Sequence, residues 1–255
     1  MSLLSARNIT KKYDQRTIIQ NIDIHLEQGE LVCLLGLSGG GNTTLFHVLS
    51  GLAAPEEGQV FLEEEEITGK PGRVSYMLQK DLLLPHKKII DNVALPLVLK
   101  GESRKRARET AEGLFAQFGL DGTQEQYPSQ LSGGMRQRAA LLRTYLTRNR
   151  VALLDEPFSA LDTITKGQIH EWYLDVMEKI DLSTLFVTHD IDEAILLSDR
   201  IYIMTGRPGE IHHELQIMPE RKDRKDFLLK DAFLQYKRSI MEIMRSHDDQ
   251  NGQGI

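Results

Sequence analysis

The chain of 255 residues contains a single cysteine, Cys33. A lone cysteine cannot form a disulfide within the chain, so an internal disulfide is excluded. Cys33 stands inside the apolar run Leu31–Leu35. We therefore predict that its thiol is buried and chemically inert.

Long apolar runs and an excess of positive charge are also missing. No stretch approaches the roughly 18 consecutive apolar residues of a membrane-spanning helix, and the first residues lack the charged-then-apolar pattern of a secretory signal. The formal net charge is -6, so the chain has no basic field to attract nucleic acid, and no nucleic-acid partner is expected. These absences predict a cytoplasmic protein that meets a membrane only through a partner.

Two kinds of hydrophobic pattern predict strands. The first thirty residues alternate apolar and polar side chains, which favours antiparallel strands. Short, continuously apolar runs are typical of parallel strands covered on both faces. Four such runs are Leu31–Leu35, Val151–Leu154, Thr184–Thr188 and Ile201–Met204. Helical patterns lie between them, at Ala107–Phe118 and Ile169–Ile180, so we predict an α/β fold with a parallel sheet.

The same patterns suggest how the chain is organised. Residues from about 82 to 147 show helical patterns and few strand signals, which predicts a mostly helical insertion. We expect one main domain over residues 1–205 and a C-terminal extension over 206–255. The extension holds one helix candidate, Phe227–Met244, which packs on the body or docks a partner. A frayed tail is expected from Asp248 onward.

A glycine-rich loop joins the first buried run to a helical segment. Such a loop folds its backbone N–H groups around a phosphate, and the helix N-terminus adds its dipole. The candidate phosphate-binding residues are Gly36, Ser38, Gly39, Gly40, Gly41, Asn42, Thr43 and Thr44. A dinucleotide-binding loop is excluded, because that pattern needs glycine at Ser38. In isolation, the loop is also compatible with a glycine-rich turn that binds nothing.

One position of the loop departs from the P-loop pattern G-x-x-x-x-G-K-[ST]: Asn42 stands where lysine is required. Asparagine is neutral and shorter, so it brings no positive charge to the β- and γ-phosphates. We expect nucleotide binding to weaken by roughly 1.5–3 kcal/mol, and the transition state to lose more. The sequence leaves open whether Asn42 is natural degeneracy or a deliberate substitution that traps one state.

Two further runs carry chemistry. Leu131–Arg138 starts a helix at Ser-Gly-Gly, whose bare backbone N–H groups can bind an anion. Val151–Glu156 is an apolar strand that ends in Asp155 and Glu156, and such a carboxylate pair can hold Mg²⁺ and polarise a water. In this order, the two runs resemble the signature and Walker B motifs of ATP-binding cassette (ABC) proteins.

The resemblance implies a P-loop NTPase (RecA-like) core with an N-terminal antiparallel β subdomain and the helical insertion, and it implies ATP and Mg²⁺ as ligands. The catalytic residues it implies are Glu156, which polarises water, His189, which contacts the γ-phosphate, and Gln79, which senses metal and water. The metal ligands it implies are Thr43, Gln79 and Asp155. Tyr13 would stack on adenine. Simpler interpretations remain for single residues: a solvated strand end, a structural histidine, and an edge-strand tyrosine packed on the core.

In the family, the signature run completes the nucleotide site of a second subunit. The resemblance therefore implies a head-to-tail homo- or heterodimer in which Ser132, Gly133 and Gly134 contact the partner's ATP. Connecting segments resemble the nitrate, sulfonate, taurine and bicarbonate importers: Leu83–Pro85, Asp91–Leu97, Tyr127–Leu131, Asp192–Ala194, Arg200–Ile203 and Arg207–Ile211. His86 departs from this branch, which usually has tryptophan there.

The branch implies an ATPase subunit that powers solute import. It would be peripheral at the inner face of the membrane, bound to a separate permease with a solute-binding protein upstream. Two other functions are compatible with the same motifs. One is a nucleotide-binding switch with little or no ATPase activity, because of Asn42, and the other is a soluble ABC protein that acts on nucleic acid or translation. The acidic charge and the lack of a coiled-coil insertion or second cassette count against the last.

Overall fold

A computed structural model describes residues 2–36, 39–159, 163–218, 224 and 226–251, without the side chains of 163–165 and 247–251. The strands are β1 (Leu4–Tyr13), β2 (Arg16–Leu26), β3 (Leu31–Gly36), β4 (Glu57–Leu62), β5 (Glu65–Glu66), β6 (Ser75–Met77), β7 (Val151–Asp155), β8 (Ser183–Thr188), β9 (Arg200–Thr205) and β10 (Glu210–Gln216). The α-helices are α1 (Asn42–Leu49), α2 (Ile89–Val93), α3 (Leu95–Leu99), α4 (Arg104–Glu112), α5 (Gly133–Tyr145), α6 (Thr163–Met177), α7 (Ile191–Leu197) and α8 (Asp231–Asn251).

The chain divides into two compact units. Unit 1 comprises residues 1–74 and 183–255, and unit 2 comprises residues 75–182. Of the elements above, unit 2 contains β6, β7 and the helices α2 to α6, and unit 1 contains the rest.

The N-terminal part of unit 1 is an antiparallel sheet with the strand order β2-β1-β4-β5. Alternating side chains of β1 and β2 are buried, for example Leu4, Ala6, Ile22 and Ile24. One face of this sheet is therefore apolar, as the alternation of the sequence predicts. The expectation of N-terminal antiparallel strands is confirmed.

A second set of strands in unit 1 follows the order β10-β9-β3-β8. β3 is parallel to both β8 and β9, while β10 is antiparallel to β9. Every residue of β3, β8 and β9 is buried, as expected for parallel strands covered on both faces. The predicted α/β fold with a parallel sheet is confirmed.

Unit 2 pairs β6 with β7 in parallel, and the remaining elements among its described residues are helices joined by turns. The helix predicted over Ala107–Phe118 ends early, because α4 stops at Glu112 and Gly113 forms its C-cap. After Gly113 the backbone continues as turns, in which an N–H group bonds to the carbonyl three residues earlier. One example is the hydrogen bond from the Leu114 N–H to the Ala111 carbonyl. Phe115 and Phe118 are still fully buried, which explains the helical periodicity of the sequence.

The C-terminal helix also differs from its prediction. Phe227–Leu229 forms a single 3₁₀ turn, and α8 begins only at Asp231. The helix then continues to Asn251, past Met244 and into the tail predicted to be frayed from Asp248; residues 252–255 lie outside the described residues. None of the helices in the described ranges combines the length and apolar character needed to cross a bilayer.

Candidate functional site

The glycine-rich loop of unit 1 joins β3, which ends at Gly36, to α1, which begins at Asn42. Gly39 and Gly41 have φ angles of 80° and 101°, which L side chains rarely adopt. Gly41 is the N-cap of α1 and has no side chain to cap the helix. The loop therefore enters α1 through conformations that need glycine. Ser38, a predicted phosphate-binding residue, lies outside the described residues.

The back of this loop packs closely against a side chain of β2 and against the backbone before β10. A Cβ built on Gly41 would lie 2.5 Å from Cγ2 of Ile19 in β2. A Cβ on Gly209, at the start of β10, would lie 2.1 Å from the carbonyl oxygen of Gly40. Neither position has room for a side chain, so the loop rests on β2 and on the turn between β9 and β10. This support favours one fixed loop conformation.

The side chain of Asn42 turns back over the start of the loop. A Cβ built on Gly36 would lie 2.5 Å from Oδ1 of Asn42. That oxygen is buried and has no hydrogen-bond partner among the described residues. The next residue, Thr43, is exposed and Thr44 is half-buried. The first turn of α1 thus offers hydroxyls and backbone dipole to an anion, with no positive charge of its own.

His189 lies at the same sheet edge as the loop. β3 and β8 are parallel neighbours, with Leu35 opposite Thr188, so Gly36 and His189 both follow this pair of residues. The His189 side chain is exposed, and Asp190 caps α7 by accepting the N–H of Asp192 at 3.0 Å. This position fits the expected contact of His189 with a phosphate held by the loop, which stays a prediction.

Tyr13, the predicted adenine-stacking residue, ends β1. Its side chain is 44% exposed, and Nζ of Lys11 lies 5.0 Å from the centre of its ring. β1 lies between β2 and β4 in its sheet. At Tyr13 the strand pairs only with Arg16 of β2, because the pairing of β1 with β4 ends at Thr10. The exposure of Tyr13 excludes burial in the core, and its stacking on adenine stays a prediction. An exposed aromatic face is what stacking on a base requires.

The carboxylate pair of unit 2 follows the parallel strands β6 and β7. Met77 pairs with Leu154, so the residues after both strands emerge at one edge. Gln79 meets Glu156 there, and its Nε2 donates a 2.7 Å hydrogen bond to Oε2 of Glu156. Glu156 has a φ of 45°, a left-handed conformation that is costly for a residue with a side chain. The structure thus brings together two of the three predicted catalytic residues.

Asp155 is buried at 7% exposure, and its Oδ2 accepts a 3.3 Å hydrogen bond from the hydroxyl of Tyr76. Burial, together with the negative charge of Asp155, raises the pKa of Tyr76 above its ordinary value of 10.0. The hydroxyl therefore remains protonated and can keep donating. Tyr76 was missed by the sequence analysis, because only the pairing of β6 with β7 brings it to Asp155.

The signature run of unit 2 starts α5 as predicted. Ser132 is the N-cap, and its Oγ accepts the N–H of Met135 at 3.3 Å. Ser132 is exposed, whereas Gly133 is half-buried and Gly134 is buried. The helix therefore presents its first turn at the surface behind a small, polar cap. Such an end can bind an anion supplied by another molecule.

Each unit, taken by itself, contains groups that suit one part of a magnesium nucleotide. In unit 1 the glycine loop and the start of α1 suit a phosphate, and Thr43 has a hydroxyl oxygen. In unit 2 Asp155 and Gln79 have side-chain oxygens. Mg²⁺ prefers such oxygen donors and usually keeps waters and phosphate oxygens as further ligands. The roles of these residues stay predictions. Residues 160–162, which follow shortly after the carboxylate pair, lie outside the described residues.

Comparison with known proteins places this arrangement in context. Residues 19–159 match the family described as "ABC transporter". The chain is 40% identical over 225 residues to the formylaminopyrimidine import ATP-binding protein ThiZ of Halalkalibacterium halodurans, covering 88% of each chain. It is 35% identical over 243 residues to the nitrate import ATP-binding protein NrtD of Synechocystis, covering 93% of this chain and 91% of that one.

A solved structure supports the fold assignment. The chain aligns with the ATP-binding cassette MJ0796, in a dimeric, post-hydrolysis state bound to ADP and Pi, with a TM-score of 0.72 and 27% identity. The alignment covers 85% of this chain and all of that chain. The predicted P-loop NTPase core with its antiparallel β subdomain is therefore confirmed, and so is the resemblance to the importer branch.

Proposed function

Because the chain belongs to the ABC transporter family, we propose that it is the ATP-binding subunit of an importer. In this proposal ATP and Mg²⁺ bind at the glycine loop, and ATP closes two subunits on each other. The chain works at the cytoplasmic face of a membrane, bound to a separate permease. A solute-binding protein delivers the solute to this permease. The names of its relatives, which are import ATP-binding proteins, support this assignment.

The observation that carries the proposal is the hydrogen bond from Gln79 to Glu156 beside the buried Asp155. A carboxylate that is held in place at a strand end can accept a proton from an attacking water. Mg²⁺, when bound, neutralises phosphate charge and supplies Lewis acidity. In this proposal Asp155 and Thr43 hold the metal, Glu156 orients the water, and His189 binds the γ-phosphate.

The proposal assigns the signature residues Ser132, Gly133 and Gly134 to the partner's nucleotide. Its test is self-association of the Glu156→Gln variant, which should bind ATP without consuming it. In analytical ultracentrifugation we expect this variant to become a dimer when Mg²⁺ and ATP are added. The further change Ser132→Arg, at an exposed position, should leave ATP binding intact and keep the chain monomeric. A Glu156→Gln chain that binds ATP and remains a monomer would contradict the proposed closure.

Hydrolysis is proposed to be slow because Asn42 brings no charge to the phosphates. The side chain of Asn42 turns back beside Gly36, and its buried Oδ1 has no hydrogen-bond partner in the described ranges. This placement also supports a second function, a nucleotide-binding switch that closes on ATP with almost no turnover. The Asn42→Lys variant separates the two. A gain in phosphate release of roughly a hundredfold would show that only the lysine is missing. Unchanged release would favour the switch, and Gln235→Lys, on the exposed face of α8, controls for the added charge.

A further inference from the structure

The turn between β9 and β10 places a positive charge beside the glycine loop. A Cβ built on Gly39 would lie 3.6 Å from Nη2 of Arg207. The Arg207 side chain is exposed, and it forms no hydrogen bond or ion pair with any residue in the described ranges. Its guanidinium therefore lies next to the loop with its donors uncommitted to the described part of the chain.

The backbone of the turn that carries Arg207 is held by hydrogen bonds to β2. The N–H of Gly209 donates to the Ile18 carbonyl at 2.8 Å, and the N–H of Gln20 donates to the Gly209 carbonyl at 3.0 Å. Gly209 also approaches the Gly40 carbonyl so closely that no side chain fits between them. The backbone two residues from Arg207 is thus anchored to both β2 and the loop, which keeps the Arg207 side chain within reach of Gly39.

A phosphate site at this loop needs a cation. The first turn of α1 has no basic residue, and Asn42 stands at the position where the P-loop pattern has lysine. Backbone dipoles alone attract an anion by only about 0.3–1 kcal/mol at exposed sites. A triphosphate carries several negative charges, and arginine is always charged and matches phosphate oxygens with its planar donors.

We propose that Arg207 supplies the positive charge that Asn42 lacks, by binding a phosphate oxygen of the ATP held in the glycine loop. This inference rests on the proposed function, because it requires that the loop binds ATP. In this proposal Arg207 increases the affinity for ATP. Its long side chain brings the charge from outside the loop and contacts ATP already in the ground state. A contact that is equally strong in the ground and transition states tightens binding and leaves the chemical step unchanged.

The test is the equilibrium affinity for ATP, measured by displacement of a fluorescent ATP analogue in the presence of Mg²⁺. We expect Arg207→Gln to weaken ATP binding about tenfold, as for one charge-assisted contact. Arg207→Lys should recover most of this loss. Arg238→Gln, which removes the same charge from an exposed position of α8, should have no effect. Adenosine, which has no phosphate, should bind all four chains equally.

A double-mutant cycle distinguishes replacement of the lysine from a general role of the turn. In the Asn42→Lys background, where the charge is restored, we expect Arg207→Gln to weaken ATP binding less than about threefold, which is the sign of coupled sites. The midpoint temperature of thermal unfolding of the ligand-free variants should equal that of the parent. An equal midpoint excludes damage to the β9–β10 hairpin.

Three outcomes would overturn the inference. Arg207→Gln that binds ATP as tightly as the parent would show that Arg207 does not contact phosphate. ATP binding by the Asn42→Lys chain, but not by the parent, would show that Arg207 does not replace the lysine, while leaving the proposed function in place. Failure of both of these chains to bind ATP would overturn the proposed function and this inference together.

Discussion

The side-chain amide of Gln79 donates a 2.7 Å hydrogen bond to Oε2 of Glu156. This bond holds the carboxylate that we assign to water activation, so Glu156→Gln should remove the proton acceptor. In the Asn42→Lys background, where turnover is measurable, we expect phosphate release to fall by a factor of roughly 10²–10⁴ and ATP affinity to change little. Phosphate release at the parent rate would show that Glu156 is not the acceptor.

Gln79 positions Glu156, so its removal should have a smaller effect of the same kind. We expect Gln79→Ala to lower phosphate release roughly tenfold, in line with the loss of one hydrogen bond to a charged group. Combined with Glu156→Gln, it should add almost nothing, because the carboxylate it orients is already gone. Gln235→Ala, at an exposed position of α8, is the matched control. Full additivity of the two losses would separate Gln79 from Glu156.

Tyr76→Phe removes the hydroxyl that donates to Asp155 and leaves the ring. In the Asn42→Lys background, we expect the Mg²⁺ concentration that half-saturates phosphate release to rise roughly tenfold, because a partner that orients a metal ligand is lost. The free energy of unfolding should fall by about 0.5–1.5 kcal/mol. Tyr236→Phe removes a hydroxyl that accepts the N–H of Met218 in unit 1, and should leave the Mg²⁺ dependence unchanged. An unchanged Mg²⁺ dependence for Tyr76→Phe would contradict the proposed orientation of a metal-binding Asp155 by Tyr76.

The strands of the core could be predicted because each is a run of consecutive apolar residues. The run Leu31–Leu35 has no polar side chain, so it is buried on both faces whatever its neighbours are. The end of α4 could not be predicted in the same way. Phe115 and Phe118 keep the helical spacing after Gly113 while the backbone already forms turns. A hydrophobic pattern predicts which side chains are buried. It does not predict the backbone hydrogen bonds of the segment that carries them.

Some residues of the candidate site could be predicted from local motifs, and others could not. Its glycines, hydroxyls and carboxylates are local motifs, so the sequence was enough to select them. Tyr76 and Arg207 could not be selected in this way, because only the folding of distant segments together brings Tyr76 to Asp155 and Arg207 to Gly39. The left-handed backbone of Glu156 was equally hidden, because glutamate shows no local preference for it.

Arg200 should be important for the stability of unit 1. It is 3% exposed and forms a bidentate pair with Glu30, with bonds of 2.8 and 2.7 Å, and further bonds to Tyr202 and Glu214. Arg200→Ala leaves the Glu30 carboxylate poorly hydrated and unpaired, so we expect the free energy of unfolding in urea to fall by about 3–5 kcal/mol. Arg238→Ala, at the surface, should stay within about 0.5 kcal/mol of the parent. Equal effects of both variants would refute the assignment.

Cys33 should be unreactive in the folded chain. It is fully buried, and burial, reinforced by the charge of Glu193, raises the pKa of its thiol well above its ordinary value of 9.0. We expect iodoacetamide to label the chain in urea and not under native conditions at pH 8.5, because the thiolate is the reactive form. Rapid native labelling would place the thiol at the surface.

The raised pKa of Cys33 also predicts a pH dependence of stability. The folded chain holds the thiol proton more tightly than the unfolded chain, so this contribution is complete below the ordinary pKa and is lost as the pH rises above it. Between pH 7 and 9 the parent and Cys33→Ala should differ by a constant amount. Above about pH 9 the parent should lose up to roughly 1.4 kcal/mol per pH unit relative to Cys33→Ala, measured by urea unfolding. Parallel curves across this range would show that the thiol titrates alike in both states.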